Sequence, residues 1–202
     1  MMGGLYEGSL AGRCQAEIEH ADGRTERLPV DDWCAGRPGD DALLDRCAGP
    51  TLDIGSGPGR LTVALAERGL PALGIDVTPY AVEMTRAAGG LALLRDVFDR
   101  VPGAGRWQTA LLADGNIGIG GDPKALLTRV ATLLDVDGRA IVELGDSTHT
   151  ELLRLRDGGR VSEWFRWSYV GLDAIDAYAR AAELRVREIW TDASRTFAEL
   201  TR

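Results

Sequence analysis

Thr51-Leu52-Asp53-Ile54-Gly55-Ser56-Gly57-Pro58-Gly59-Arg60 is the stretch that decides the fold. Leu52 to Ile54 has the apolar character of a buried strand. It runs straight into a glycine loop, and a helix opens at Arg60 with Leu61, Ala64 and Leu65 on one face. Strand, glycine turn and helix in that order bring the backbone close to a ligand at the C-terminal edge of a parallel sheet. A dinucleotide fingerprint wants a small residue three positions after its second glycine, and Arg60 is too large for that role. Asp53, inside the strand, would repel a pyrophosphate and attract an ammonium group. The loop therefore reads as a site for a ligand that carries an amine and no phosphate.

Short apolar strands alternate with helices on the C-terminal side of this loop. Ala72–Asp76, Leu91–Leu94, Gln108–Leu112 and Ala140–Leu144 are the strands. Thr78-Pro79 and Asp122-Pro123 open helices, proline taking the first helical position where its missing N–H is harmless. Leu126, Leu127, Val130, Leu133 and Leu134 form one amphipathic stripe, and Asp137-Gly138 is the turn after it. Such alternation requires a parallel sheet with right-handed crossovers. Further on, Leu152–Arg156 and Val161–Tyr169 flank Gly158-Gly159 as a hairpin, and a helix spans Leu172–Glu183. Strands 184–190 and 195–200 are too close in sequence to pair other than antiparallel. The expected fold is α/β and Rossmann-like. It has a seven-stranded, mostly parallel sheet with one antiparallel strand near the C-terminus, and helices on both faces.

On the N-terminal side, residues 1–13 are glycine-rich and expected to be mobile. Tyr6 there is read as a surface anchor, with a lid over the substrate as the alternative. Cys14–His20 alternates like a half-buried strand, Asp22-Gly23 turns, and Leu28 and Val30 mark a returning strand. His20 at the tip is expected to be exposed. Trp33 begins a loop or short helix, and Asp40 or Asp41 caps a helix that ends at Gly49-Pro50. Residues 1–45 are thus an accessory hairpin or cap, and 46–202 the core of a single domain.

The motifs resemble those of the class I S-adenosylmethionine-dependent methyltransferases, over about residues 45–202. Their first motif, an acid, an apolar residue and a G-x-G-x-G loop, is matched by Asp53-Ile54-Gly55-Ser56-Gly57-Pro58-Gly59. Asp76 matches the acid that ends the second strand, about 20 residues past the loop, where a carboxylate reaches ribose hydroxyls. Asp96 stands where the family binds the adenine amino group. The resemblance implies S-adenosyl-L-methionine as donor and S-adenosyl-L-homocysteine as product. It implies Asp53, Gly55, Ser56, Gly57 and Gly59 at the methionine portion and Asp76 at the ribose. Val77, Asp96 and Val97 would meet the adenine, and Asp114 would contact the donor. The segment Asp114-Gly115-Asn116-Ile117 occupies the position that faces the transferable methyl group. It departs from the Asn/Asp-Pro-Pro-aromatic tetrapeptide of the DNA-adenine and glutamine methylating branches.

Asp114 and Asn116 are accordingly candidates for orienting an acceptor, and His149 for a general base, since an imidazole titrates in the useful range. Trp164, Phe165, Trp167 and Tyr169 either line an apolar pocket or pack on the sheet. The 202 residues carry 45% hydrophobic and 27% charged side chains, enough for one well-filled core. A formal net charge of −8 argues against a nucleic-acid surface, and the arginines from Arg154 to Arg166 read as a solvated hairpin face. Met1-Met2-Gly3-Gly4 lacks the features of a signal peptide, and no apolar run approaches a membrane span. Cys14, Cys34 and Cys47 fit no metal or disulfide pattern, and no metal is expected. The expectation is a cytoplasmic enzyme that methylates a small molecule. A protein that binds the donor without transfer is the alternative, and a nicotinamide-dependent oxidoreductase a more distant one.

Overall fold

The computed structural model describes residues 3–202, so Met1 and Met2, which opened the signal-peptide reading, lie outside the described residues. Seven strands form the main sheet: β3 (Thr51–Ile54), β4 (Ala72–Asp76), β5 (Ala92–Leu94), β6 (Trp107–Leu112), β7 (Leu134–Leu144), β11 (Arg185–Asp192) and β12 (Arg195–Thr201). Their order is β11-β12-β7-β6-β3-β4-β5. β12 alone runs against the rest: it pairs antiparallel with both β7 and β11, while β7, β6, β3, β4 and β5 are parallel. The expected mostly parallel sheet with one antiparallel strand near the C-terminus is what the structure shows.

Strand alternation sorts the core into two layers. Ala110, Leu112, Ala140, Val142, Ala198 and Leu200 face α6 (Pro123–Leu133) and α7 (Ile175–Ala181). Leu111, Ala113, Ile141 and Phe197 face α3 (Asp40–Leu44) and α4 (Arg60–Glu67). All four residues of β3 are buried, Asp53 among them. The α6 stripe buries Leu126, Leu127, Val130 and Leu133, and the Asp122 carboxylate caps this helix by accepting from the Ala125 N–H at 3.0 Å. α5 (Pro79–Ala87) opens on Thr78-Pro79 as expected, although the Thr78 side chain makes no cap hydrogen bond.

Several boundaries differ from the sequence reading. β7 begins at Leu134 and runs through Asp137-Gly138, which is an irregularity within the β6–β7 ladder rather than a turn before it. The last helix is shorter than Leu172–Glu183. Residues 3–10 form α1 (Gly3–Leu10) with Leu5 and Leu10 buried, so the expected mobile start is a docked helix. The first strands are β1 (Glu17–His20) and β2 (Thr25–Arg27), shorter than expected, and Val30 opens α2 (Val30–Cys34) instead of extending a strand. α3 is capped by Gly39 in the left-handed region, not by Asp40, whose carboxylate is engaged elsewhere.

The larger difference is topological. β8 (His149–Asp157), β9 (Arg160–Val161) and β10 (Phe165–Tyr169) form the expected second hairpin. β1 then pairs with β8 in the register Ile18↔Leu155, and a second, five-stranded antiparallel sheet results, ordered β10-β8-β1-β2 with β9 on β8. A division at residue 45 therefore cuts through a sheet. Leu5, Ala16, Leu28 and Leu155 make a small third core between α1 and this sheet.

Candidate active site

The C-terminal edge of the main sheet carries one carboxylate per strand across five adjacent strands. Asp96 follows β5, Asp76 ends β4, Asp53 lies in β3, Asp114 follows β6 and Glu143 lies near the end of β7. Neighbouring strands are about 4.8 Å apart, so these groups form a row rather than a point cluster.

In the middle of the row, the glycine loop is tied down by its own backbone. The N–H groups of Gly55 and Ser56 donate to the Ile75 carbonyl at 2.9 and 3.1 Å, and that of Gly59 to the Ser56 carbonyl at 3.0 Å. The Gly57 N–H donates to Asp76 Oδ2 at 2.9 Å, and the Thr78 N–H to Asp76 Oδ1 at 2.8 Å. A loop whose N–H donors are spent internally is not a phosphate cradle. Each Asp76 oxygen keeps lone-pair capacity for a further donor, which suits a pair of hydroxyls.

The three glycines serve different neighbours. A Cβ on Gly55 would stand 2.8 Å from Asn116 Nδ2, and one on Gly59 2.5 Å from the Thr85 side chain. Gly57, at φ 54, is the one that faces the crevice, with the Tyr6 hydroxyl 3.4 Å from where its Cβ would be. Ser56 turns its hydroxyl beneath the loop: a Cβ on Gly74 would lie 2.6 Å from it, and the oxygen is buried without a hydrogen-bond partner among the described residues. Ser56 thus presents neither its side chain nor its N–H to the crevice.

Asp53 is buried, and its carboxylate accepts from the Thr62 hydroxyl at 2.7 Å. Burial pushes its carboxyl up to about 6, against the pull of that hydrogen bond. A cation brought alongside would pull it back down and favour the ionised form. At the β5 end, Asp96 Oδ1 accepts from the Phe98 N–H at 2.9 Å. Val77, Leu94 and Phe98 are exposed apolar side chains beside Asp76 and Asp96. Such a set flanks a flat apolar ligand better than it faces water. Val97 buries its side chain in the core and gives its carbonyl to Arg129 Nε at 2.8 Å, which leaves its N–H as the part able to face a ligand.

At the other end of the row, Asp114 adopts φ 52, a left-handed conformation unusual for a residue with a side chain. Its N–H donates to Glu143 Oε2 at 2.6 Å, and its carboxylate accepts from Arg37 at 2.7 Å and from Arg60. Arg60 also donates to Asp40, and Arg195 donates to Asp40 at 2.7 Å and to both Glu143 oxygens at 2.8 Å. Three guanidiniums thus balance three carboxylates. Burial works against the Asp40 carboxylate, yet its hydrogen bonds from Arg60, the Arg37 N–H and Arg195 hold it below the usual range. Asn116 is also a tie: its amide nitrogen donates to the Ile54 and Gly55 carbonyls at 2.9 and 3.0 Å, so that end is not available to a substrate. It fastens the 3-10 segment Asn116–Gly121 to the loop.

Tyr6 and Trp33 meet edge-to-face, with ring centroids 5.7 Å apart, and both pack against the small third core. Burial, and then the charge of Asp76, drive the Tyr6 phenol well above its ordinary value. The surface-anchor reading of Tyr6 is corrected: its hydroxyl stands above Gly57.

The second sheet brings both histidines of the chain to one carboxylate. His20 Nδ1 is 2.9 Å from Glu151 Oε2, and His149 Nε2 is 3.5 Å from Glu151 Oε1. His20 is buried, not exposed as expected. His149 is half-exposed, stacks on Tyr169 at 4.6 Å and lies 3.2 Å from the Ser147 hydroxyl through Nδ1. Burial and Glu151 raise the Tyr169 phenol to about 12. Sequence reading missed Glu151, although alternation in a strand puts residues 149 and 151 on one face. Trp167 packs on the 3-10 segment, where a Cβ on Gly118 would stand 2.5 Å from its Nε1. Trp164 is exposed and lies under the Arg154 guanidinium, 4.5 Å from ring centre to Cζ.

Among solved structures, a methyltransferase from Bacteroides fragilis, in complex with S-adenosyl-L-homocysteine, superposes with a TM-score of 0.85 at 21% identity. The match covers 99% of this chain and 93% of that one. The chain has the class I S-adenosylmethionine-dependent methyltransferase fold. At that coverage the likeness takes in α1 and the second sheet as well as the main sheet. The Burkholderia thailandensis 1,6-didemethyltoxoflavin-N1-methyltransferase shares the fold at a TM-score of 0.61 and 20% identity, over 85% of this chain and 80% of that one. In sequence, 44 residues are 43% identical to an ATP synthase lysine N-methyltransferase of Rattus norvegicus. This is 22% of the present chain and only a fifth (20%) of that protein. No family model matches the chain. Among the described residues no helix is long and apolar enough to cross a membrane.

Proposed function

We propose that the chain is a methyltransferase that takes a methyl group from S-adenosyl-L-methionine, leaves S-adenosyl-L-homocysteine, and modifies a small-molecule acceptor. The observation that carries this reading is the row of carboxylates beside a loop with no spare N–H donors. Asp96 with the Val97 N–H would serve the adenine edge, Val77, Leu94 and Phe98 its faces, and Asp76 both ribose hydroxyls. Asp53 and Gly57 would lie along the methionine portion. Bound there, the donor supplies an electrophilic methyl carbon on a sulfonium. The protein's task is then to hold the acceptor in line and keep water out. Tyr6 and Trp33 would cover the donor, while Asn116 and Trp167 fix the wall that faces the acceptor. His149, backed by Glu151, would take a proton from an acceptor that arrives protonated.

A small molecule is favoured over nucleic acid by the net charge of −8. The named neighbours include a small-molecule N-methyltransferase crystallised with its acceptor, 1,6-didemethyltoxoflavin, and with S-adenosylhomocysteine. A role in specialised metabolism and a cytoplasmic location, the latter in keeping with three free cysteines, belong to the same proposal. Residues 46–202 would act as the donor-binding core, and residues 1–45 as its cap.

Calorimetric titration with S-adenosyl-L-homocysteine tests the donor site. Asp76→Ala is expected to cost about 1–3 kcal/mol of affinity through lost charge-assisted hydrogen bonds. Unchanged affinity, or tighter binding of NADH than of the thioether, would remove the reading. A screen for transfer of a labelled methyl group then separates a transferase from a protein that only binds the donor.

A further inference from the structure

We propose that His20, at the tip of the N-terminal hairpin, is a positioning residue for methyl transfer. It holds Glu151 so that His149 keeps a hydrogen on Nε2 and offers Nδ1 to the acceptor's proton. The inference rests on the reading of His149 as the base and adds the group that aims it.

Strand pairing puts these groups on one side of the second sheet. β8 and β10 pair in the register Trp167↔Glu151 and Tyr169↔His149, so those four side chains share a face. β1 pairs with β8 as His20↔Leu153, and alternation brings His20 to the same face as Glu151. Trp167 meets Gly118, in the 3-10 segment that Asn116 opens. This face therefore looks onto the wall proposed for the acceptor.

Glu151 has one imidazole at each oxygen. Oε2 lies 2.9 Å from His20 Nδ1, with Arg24 Nη2 3.6 Å away, and Oε1 lies 3.5 Å from His149 Nε2. Exposure rises along the chain of groups, from 6% for the His20 side chain through 18% for Glu151 to 46% for His149. A glutamate left alone loses rotamer freedom when it is aimed, and a hydrogen bond from a buried ring meets that cost in advance. An ionised carboxylate accepts and does not donate, so the ring nitrogens turned to it carry hydrogen. These are Nδ1 of His20 and Nε2 of His149. The His149 ring is further held by stacking on Tyr169 at 4.6 Å, and its Nδ1 is left beside the Ser147 hydroxyl at 3.2 Å.

Holding two strands together does not account for His20. β1 is already bound to β8 through its ladder, and a buried polar pair adds little over an apolar one. Ile18, paired with Leu155 and packed on the third core, shows what this chain uses for adhesion. Glu26 Oε1, 3.7 Å from His20 Nε2, faces the other side of the ring, so His20 stands between two carboxylates. In the transfer step the acceptor atom bonds the methyl carbon, the S–C bonding pair stays with sulfur, and the acceptor's proton moves to His149 Nδ1. Glu151 then faces an imidazolium, and its aim decides how well that charge is met.

A double-mutant cycle on the full chain tests the assignment, with the acceptor found in the labelled-methyl screen and S-adenosyl-L-homocysteine affinity as the folding control. His20→Leu is expected to lower kcat by roughly ten- to hundredfold, part of the ~10²–10⁴ that a positioned base supplies. Thioether affinity should stay within about threefold. His20→Asn should recover most of the loss, because its amide nitrogen can donate to Glu151 from near the place of Nδ1. Glu151→Gln, which leaves the His20 side chain in place, should reproduce the loss. In a His149→Gln background, His20→Leu should cost less than about twofold further. Similar losses in both backgrounds, an Asn variant no better than Leu, or full kcat in His20→Leu or Glu151→Gln would overturn the assignment and leave the donor site standing. Full kcat in His149→Gln would remove the base, and the role of His20 with it, while leaving a transferase. Absence of transfer to any acceptor would overturn the transferase reading and this inference together.

Discussion

At the scale of single residues, Asp53 is held in a state that costs stability. Its carboxyl is raised to about 6 by burial, so the folded protein binds a proton more tightly there than the unfolded chain does. For an acid raised in this way the penalty is absent below the unfolded value, near pH 4, and grows as pH rises towards 6. At neutral pH it reaches about 3 kcal/mol, from roughly two units at 1.36 kcal/mol each. Asp53→Asn should therefore melt higher than wild type at pH 7.5, since the amide oxygen can still accept from Thr62. The gain should vanish below about pH 4. Scanning calorimetry across that range checks the sign, and a variant that melts lower at pH 7.5 would show that the charge is compensated in the free protein. The same substitution should weaken binding of the ammonium-bearing donor, a trade of stability against function. Asp53, Asp76 and Asp96 were legible in the sequence because each is fixed by its own strand and by spacing from the glycine loop. Arg37 was not: its partner Asp114 lies 77 residues away, and nothing local marks a loop arginine as part of an ion network.

At the scale of elements, the weakest local signals gave the largest errors. α1 reads Gly3-Gly4-Leu5-Tyr6-Glu7-Gly8-Ser9-Leu10, and its three glycines argue against a helix. Burial of Leu5 and Leu10, the former against Leu155 of the second sheet, overrides that propensity. Strong periodicity survived in β3, β4, β6 and α6, where the apolar pattern and the turn residues agree. The glycines between 115 and 121 were ambiguous because close packing and chain reversal both call for glycine. Two of them now have an identified cause. A Cβ on Gly118 would overlap the Ser168 carbonyl oxygen, and one on Gly121 would meet Arg166, so β10 lies directly on the 3-10 segment. Gly118→Ala should push β10 away from the segment that carries Asn116. Overpacking against backbone costs about 1–3 kcal/mol, or a fall of roughly 2–12 °C in melting temperature for a chain of this size. A melting temperature within a degree of wild type would mean that β10 rests on this segment only loosely.

At the scale of the whole molecule, the N-terminal hairpin read as accessory and the later hairpin read as part of the core prove to belong to one sheet. Alternation told which face of each strand is apolar, but it carries no information about which distant strand will be the partner. The Ile18↔Leu155 pairing, closed across 137 residues, therefore had no local signature. That long closure is rewarded by a small core. Leu5, Ala16, Leu28 and Leu155 are the buried residues between α1 and the second sheet, whereas the main sheet is packed on both faces. Local stability follows local burial, so the molecule should open in two steps. Native-state hydrogen exchange in rising denaturant should show β1, β2 and β8 exchanging through a sub-global opening, while β6 and β7 exchange only through global unfolding. Because Tyr6 of α1 stands over Gly57, S-adenosyl-L-homocysteine bound beneath it should raise protection in α1 and β1 more than in β6. The crevice would then be closed by the part of the fold that opens most readily, which is what a covered donor site needs if product is to leave. Uniform protection across both sheets, unchanged by the thioether, would show instead that the second sheet is a rigid wall, and that any closure over the donor is confined to side chains.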